Sequence, residues 1–186
     1  MSIKVGFIGL GVMGGHMARH LSNAFDVTVF DVDAAKAAQQ ERAVKADSVQ
    51  KLGESVDVVL LSLPKSEIVY DVVCGAEGLI HVLKPGSAVI DTSTTEPTVS
   101  RKIAAALSAK GIDFLDAPVS GGEGGARAAA LAFMVGGDEA VFNKYTPILD
   151  VMAKSVVRVG DIGTGGVAKL VNNMIVGAAF SIIAEG

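Results

Sequence analysis

The sequence predicts an α/β domain built on a doubly wound, mainly parallel β-sheet. Continuous apolar runs at 3–8, 56–61 and 88–91 are typical of parallel strands that are buried on both faces. Helical patterns separate these runs along the chain, and one strand-to-helix junction carries a glycine-rich turn. Because strands and helices alternate, we expect one sheet with helices packed on both of its faces.

The remaining elements follow from apolar runs and from capping residues. Further strands are predicted at 27–30, 112–116, 131–135 and 155–159, with a short strand possible at 43–44. Asp33 and Ser48 are placed to cap helices, and Pro97 lies near the first turn of another. The segment 121–125 is predicted to be a glycine-rich loop, and a long apolar helix is predicted from Val167 onward.

The junction after the first strand has the spacing Gly9-x-Gly11-x-x-Gly14. The first glycine permits a sharp turn, the second lets a pyrophosphate approach the backbone, and the third lets the helix pack closely on the strand. The helix N-terminus adds free N–H groups and the positive end of its dipole. A Rossmann-type dinucleotide site is therefore predicted at Gly9, Leu10, Gly11, Val12, Met13 and Gly14.

Asp31 ends the second strand, 20 residues after Gly11. This is about where a carboxylate accepts hydrogen bonds from an adenosine ribose, although a solvated loop aspartate would give the same pattern. No arginine follows, since the next residue is Val32. A 2′-phosphate would then face a carboxylate with no nearby cation, which favours NAD over NADP.

Composition narrows the classes of partner. The net charge is −4 and no basic cluster is visible, which argues against nucleic acid as a partner. The single cysteine, Cys74, cannot form an internal disulfide. We find no signal peptide, no uninterrupted apolar stretch of transmembrane length and no His, Cys or carboxylate cluster typical of a metal site. The expected location is the cytoplasm, with no membrane partner.

The segment Asp116-Ala-Pro-Val-Ser-Gly-Gly122 carries a second candidate site. Successive N–H groups of Ser120, Gly121 and Gly122 can form a concavity that holds an anion, and the Ser120 hydroxyl adds a donor. This arrangement suits a substrate carboxylate. An ordinary connection between a strand and a helix is the alternative interpretation.

The third candidate site lies on the last helix, where Lys169 and Asn173 are four residues apart and share one face. Both lie in an otherwise apolar segment. A partly buried lysine has a lowered pKa and can exchange protons near neutral pH. A lysine that extends its amine from a core helix to solvent would give the same pattern.

The four motifs together resemble the β-hydroxyacid dehydrogenase family: the glycine turn, Leu63-Pro64, Asp116–Gly122 and Gly163-x-Gly-x-x-x-Lys169-x-x-x-Asn173. The resemblance implies NAD-dependent oxidation of a small β-hydroxy acid, with Lys169 catalytic and Asn173 as its partner. It further implies that Ser120, Gly121 and Gly122 bind the substrate carboxylate and that Leu63, Pro64 and Thr94 line the cofactor site. Two other functions stay open: an NADPH-linked semialdehyde reductase and a dinucleotide-binding module without catalysis.

The sequence departs from the family pattern at Lys65, where some members have Asn, and at Ala129-Ala130, where Gly-Thr is usual. Family members also have a second, all-helical domain. We therefore expect residues 1–162 to form the NAD-binding domain and 163–186 to begin an interdomain helix of a domain that is missing here. Because this helix is apolar around its circumference, we expect the missing domain or a second subunit to cover it, as in a homo-oligomer.

Overall fold

The computed structural model describes residues 3–185, which form one nine-stranded sheet with helices on both faces. The strands are β1 Lys4–Ile8, β2 Asp26–Phe30, β3 Val44–Lys45, β4 Val58–Leu61, β5 Ala88–Asp91, β6 Asp113–Asp116, β7 Val119–Ser120, β8 Leu131–Gly136 and β9 Ala153–Gly160. The helices are α1 Val12–Leu21, α2 Ala34–Ala38, α3 Val49–Ser55, α4 Ser66–Cys74, α5 Pro97–Ser108, α6 Gly122–Arg127, α7 Glu139–Asp150 and α8 Thr164–Glu185, with a 3-10 helix at Leu79–His81. The predicted doubly wound, Rossmann-type class is confirmed.

Six neighbouring strands form the parallel part of the sheet, in the order β3-β2-β1-β4-β5-β6. Alternate residues of each strand enter different cores, as β4 illustrates. Val58 and Leu60 pack in the core under α1 and α7, whereas Val59 and Leu61 pack in the core under α3, α4 and α5. Burial on both faces explains why these strands are apolar without interruption.

The last three strands extend the sheet beyond its parallel part. β8 is antiparallel to both β6 and β7, with Asp116 opposite Gly136 and Ser120 opposite Ala132. β9 is parallel to β8, with Gly136 opposite Gly160. Both β8 and β9 therefore end at the level where β6 ends, so α8 begins at the carboxyl edge of the parallel strands. Ligands of such sheets bind outside this edge.

Several local predictions are confirmed, one is wrong, and one short strand was not predicted. The side chains of Asp33 and Ser48 accept hydrogen bonds from the first turns of α2 and α3, as capping residues do. The segment 121–125, expected to be a loop, instead begins α6, which an ion pair between Glu123 and Arg127 supports. The short strand β7 was not predicted because two residues carry no periodic signal.

α8 leaves most of its apolar side chains exposed: Val167, Leu170, Val171, Met174, Ile175, Val176, Phe180, Ile182 and Ile183. It is long and apolar enough, by length and composition alone, to cross a membrane. However, every 18-residue stretch of the helix contains Lys169 and two asparagines. A charged group inside a bilayer is costly, which favours a helix that packs against protein.

Candidate functional site

The turn after β1 is held by close backbone contacts at two of its glycines. Gly9 has φ +94°, and its N–H donates to the carbonyl of Phe30 at 3.0 Å. A Cβ at Gly9 would collide with the backbone oxygen of Ser62, and a Cβ at Gly14 would collide with the backbone oxygen of Gly9. Any larger residue at either position would therefore push β1, β4 and α1 apart.

Gly11 is different, because a Cβ there would meet nothing within 4 Å. It precedes α1, whose N-terminus has no side-chain capping hydrogen bond from the described residues. Free N–H groups and open space thus coincide at the start of a helix, which is the arrangement that binds a phosphate.

A cavity of about 580 Å³ opens directly over this helix N-terminus. Eight of the ten residues predicted to bind the cofactor line it: Gly9, Gly11, Val12, Met13, Gly14, Asp31, Leu63 and Pro64. Leu10 is buried and lines a neighbouring cavity, and Thr94 is exposed on the loop after β5. The size and the mainly apolar lining fit a dinucleotide.

Asp31 is fixed at the rim of this cavity by two backbone donors. The N–H of Leu10 donates to Oδ2 at 2.6 Å, and the N–H of Asp33 donates to Oδ1 at 2.8 Å. Each carboxylate oxygen retains a further lone pair that can accept from a ribose hydroxyl. The residues present therefore fit the adenosine half of a nicotinamide dinucleotide.

Lys36, which the sequence analysis did not single out, lines the same cavity as Asp31. Its amine lies 3.9 Å from the carboxylate of Asp33, and both side chains are partly exposed. A cation therefore lines the cavity that contains Asp31, although no cation directly follows Asp31 in the sequence. Lys36 lies in the short helix α2, five residues after Asp31, so it is not part of the sequence pattern in which a cation directly follows the aspartate.

A buried polar network lies behind Leu63, next to the cavity. The N–H of Leu63 donates to the hydroxyl of Ser93 at 2.8 Å, and the N–H of Ser93 donates to Asp91 Oδ1 at 2.9 Å. The hydroxyl of Thr95 donates to Asp91 Oδ2 at 2.5 Å. Burial raises the pKa of Asp91 to about 6, and the nearby Asp116 adds to this effect. Asp91 thus orders the loop that carries Thr94.

The Ser-Gly-Gly segment turns sharply between β7 and α6. Gly121 has φ +134° and Gly122 has φ +59°, conformations that favour glycine. The hydroxyl of Ser120 accepts a hydrogen bond from Nδ2 of Asn172, at 3.5 Å. The turn therefore lies beside the face of α8 that carries the predicted acid–base residue.

The structure shows one contact of α8 that was not predicted from the sequence. Lys169 is half-buried, and burial lowers the pKa of its amine. Asn173, the predicted partner, is exposed, whereas Asn172 is half-buried and contacts Ser120. Residues three and four apart share a helix face, so spacing alone could not choose between the two asparagines.

The start of α8 lies next to the loop that follows β5. A Cβ at Gly166 would come within 3.1 Å of the backbone oxygen of Thr95. Asp116, at the end of β6, contacts the same helix start through hydrogen bonds from Gly163 and Gly166. The structure thus brings the cofactor-side loop, the Ser-Gly-Gly turn and α8 together at one edge of the sheet.

Comparison with known proteins identifies this arrangement. Residues 4–160 match the family model for the NAD binding domain of 6-phosphogluconate dehydrogenase. A 2-(hydroxymethyl)glutarate dehydrogenase of Eubacterium barkeri is 41% identical over 187 residues, covering 99% of this chain and 62% of the relative. The chain spans about three fifths of the length of the first curated relatives that it matches.

Solved structures agree with the sequence relatives. A Mycobacterium tuberculosis 3-hydroxyisobutyrate dehydrogenase, solved with L-serine, superposes with a TM-score of 0.93 at 36% identity, covering 100% of this chain and 64% of that one. Psf3 in complex with NADP+ and 2-OPP superposes with a TM-score of 0.90 at 32% identity, covering 98% of this chain and 67% of that one. With its four motifs in place on this fold, the chain belongs to the β-hydroxyacid dehydrogenase family and carries that family's nicotinamide-cofactor-binding domain.

Proposed function

We propose that the complete protein is a dehydrogenase that transfers a hydride between NAD and a small β-hydroxy acid resembling 3-hydroxyisobutyrate. The contact between Asn172 and Ser120 carries this proposal. It brings the anion-binding turn to the helix that bears Lys169, at the sheet edge where the glycine turn lies. The relatives named as hydroxy-acid dehydrogenases give independent support.

The chain's own residues supply binding and proton transfer. The hydroxyl of Ser120 and the N–H groups of Gly121 and Gly122 donate hydrogen bonds to the substrate carboxylate. Lys169, uncharged at that moment, takes the proton of the substrate hydroxyl. Burial lowers the pKa of this amine, which increases its uncharged fraction near neutral pH. Asn172 and Asn173 orient the substrate or the amine.

The nicotinamide cofactor, when bound, supplies the hydride acceptor, and its adenosine end would be held by Asp31. Ordering of the Asp31 carboxylate by two backbone donors favours a ribose with free hydroxyls, and hence NAD. Lys36 in the same cavity favours the second candidate function, an NADPH-linked reductase of a small semialdehyde such as tartronate or succinic semialdehyde, or of glyoxylate. Psf3, a structural relative, was solved with NADP+.

Titration of the purified protein with NAD and with NADP separates the two cofactors. We expect the protein to bind NAD more tightly than NADP, and we expect Asp31→Ala to reduce the difference between the two affinities. In the same assay Lys36→Ala should weaken NADP and leave NAD unchanged, while Lys65→Ala, at an exposed lysine outside the cavity, serves as the control. Tighter binding of NADP by the unmodified protein would favour the reductase.

Turnover tests the substrate class. Enzyme expressed from the complete coding sequence is assayed for NADH formation with 3-hydroxyisobutyrate, 2-(hydroxymethyl)glutarate and glycerate. We expect oxidation of at least one of these acids and none of its methyl ester, because the ester lacks the carboxylate that Ser120 binds. Equal rates with acid and ester would contradict the assigned role of the Ser-Gly-Gly turn.

We further propose that residues 163–186 begin a helix that joins this domain to an all-α domain and contributes to a homo-oligomer. The exposed apolar side chains of α8 support this, since a helix that is apolar on all faces is stable when protein covers it. Light scattering on the 186-residue chain should show self-association. A stable monomer at high protein concentration would contradict the proposal that the apolar side chains of α8 pack against another protein surface. The cytoplasmic location stays a prediction.

A further inference from the structure

The segment that leads to the Ser-Gly-Gly turn is joined to α8 at two points. One is the contact between Ser120 and Asn172. The other is Asp116, whose side chain is buried, with 2% of its surface exposed. Its Oδ1 accepts from the N–H of Gly163 at 2.7 Å, and its Oδ2 accepts from the N–H of Gly166 at 2.9 Å.

Lys169 lies between these two points along the helix. It lies three residues after Gly166 and three residues before Asn172. At a rise of 1.5 Å per residue the two anchored residues are about 9 Å apart along the axis. One anchor would allow α8 to rotate or tilt about that point, whereas two fix the direction in which the Lys169 side chain leaves the helix.

The anchor at Asp116 is closely packed. Burial raises the pKa of its carboxyl, and the hydrogen bonds from Gly163 and Gly166 counteract part of this effect. The N-terminus of α8 carries the positive end of the helix dipole, which stabilises a carboxylate. A Cβ at Gly136 would collide with Oδ1 of Asp116, and a Cβ at Gly165 would come within 2.5 Å of its backbone oxygen. The start of α8 therefore cannot move without breaking the hydrogen bonds to Asp116.

We propose that Asp116 is a positioning residue for Lys169: it fixes the axial position and rotation of α8 so that the amine faces the substrate bound at Ser120. The proposal rests on the proposed function for the role of Lys169. We assign Asp116 no contact with the substrate, because its side chain is buried and its carboxylate oxygens accept from Gly163, just before α8, and from Gly166 within α8.

Two substitutions at Asp116 test this role in the complete enzyme. Asp116→Asn keeps the shape of the side chain but turns an amide NH₂ toward one of the two glycine N–H groups. Asp116→Glu keeps the charge but adds a methylene group in a closely packed site. Both should lower kcat roughly 10- to 100-fold, as expected for a displaced acid–base group, with the KM for NAD unchanged. The control is Asp113→Asn on the same strand, where the carboxylate pairs with Lys144 at the surface.

Titration of the Lys169 amine distinguishes positioning from a purely structural role. The lysines of the 186-residue chain are ¹³C-methylated and followed by NMR, with Lys169→Arg used to assign the signal. In Asp116→Asn the pKa of Lys169 should rise toward its ordinary value of 10.5, because the amine leaves its half-buried position. Asp113→Asn should leave it unchanged.

A lowered melting temperature with an unaltered amine titration and normal kcat would overturn the proposal. Loss of the folded state in both Asp116 variants, judged by circular dichroism, would likewise assign the residue to folding alone. The titration needs no turnover, so it remains decisive if Lys169 has no catalytic role. In that case Lys169→Ala retains activity and only the proposed function fails.

Discussion

The cofactor side of the site and the helix side differ in how completely this domain encloses them. The cofactor side, comprising the glycine turn, Asp31, Leu63 and the loop after β5, is fixed by close backbone contacts and partly buried hydrogen bonds. The helix side consists of α8, which is anchored at its start and at Asn172 and is exposed along most of the rest of its length. We therefore expect cofactor binding to be a property of this domain, and the proposed catalysis to depend on the protein surface that covers α8.

The largest expected effect comes from a substitution on the helix side alone. Lys169→Ala in the complete enzyme should lower kcat by roughly two to four orders of magnitude, because it removes the acid–base group, while the Kd for NAD stays nearly constant. Stopped-flow measurement of NADH formation and a fluorescence titration give the two numbers.

Lys154→Ala, at an exposed lysine on the adjacent strand β9, is the matched control and should leave both numbers unchanged. Near-normal kcat in Lys169→Ala would remove this residue from the mechanism. A large change in the Kd for NAD would show that the two sides are not separable.

The next prediction distinguishes a glycine of the cofactor side that maintains the fold from one that binds the cofactor. Gly14→Ala places a methyl group against the backbone oxygen of Gly9 and should lower the free energy of unfolding by about 3 kcal/mol. Gly11→Ala places its methyl group in open space and should change that free energy by less than about 1 kcal/mol. Its affinity for NAD should nevertheless fall at least roughly tenfold, a loss of about 1.4 kcal/mol.

Urea unfolding and NAD titration of both variants are compared with the unmodified chain. Equal destabilisation by the two alanines would contradict the division between a packing glycine and a binding glycine. Unchanged NAD affinity in Gly11→Ala would place the cofactor elsewhere.

The same difference governs what the sequence could predict. The sheet and the glycine turn follow from local spacing, because apolar runs and the three glycines act within a few residues. The role of Asp116 depends on residues far along the chain, because its carboxylate accepts from the N–H groups of Gly163 and Gly166. Spacing led to Asn173 as the partner of Lys169, and the contact of Asn172 with Ser120 is visible only in the structure.

A smaller effect probes the electrostatics of the loop beside the cofactor. Burial raises the pKa of Asp91 from 3.8 to about 6 in the folded chain. A raised pKa means that the folded state binds the proton more tightly than the unfolded state does. The contribution of Asp91 to stability is therefore complete below about pH 4 and is lost as the pH rises through about 6, by at most about 3 kcal/mol.

Asp91→Asn mimics the protonated side chain, since its amide oxygen can still accept from Ser93 and the Thr95 hydroxyl can reverse its role. Relative to the unmodified chain, this variant should gain stability between pH 4 and pH 7 in urea unfolding. The exposed Asp47→Asn provides the comparison. A difference between Asp91→Asn and the unmodified chain that stays constant with pH would contradict a raised pKa.

The smallest effect tests whether the two sides meet at the substrate. Ser120→Ala removes one donor to the substrate carboxylate but leaves the N–H groups of Gly121 and Gly122, so the KM for the acid should rise by roughly tenfold, about 1.4 kcal/mol. The kcat should change little, because a carboxylate held away from the reacting carbon is bound equally in the ground and transition states. Asn172→Ala removes the donor to Ser120 and should instead lower kcat, since it frees the helix face that carries Lys169. Initial rates over a range of acid concentrations give kcat and KM separately. A fall in kcat for Ser120→Ala with unchanged KM would instead assign the hydroxyl to the reacting centre.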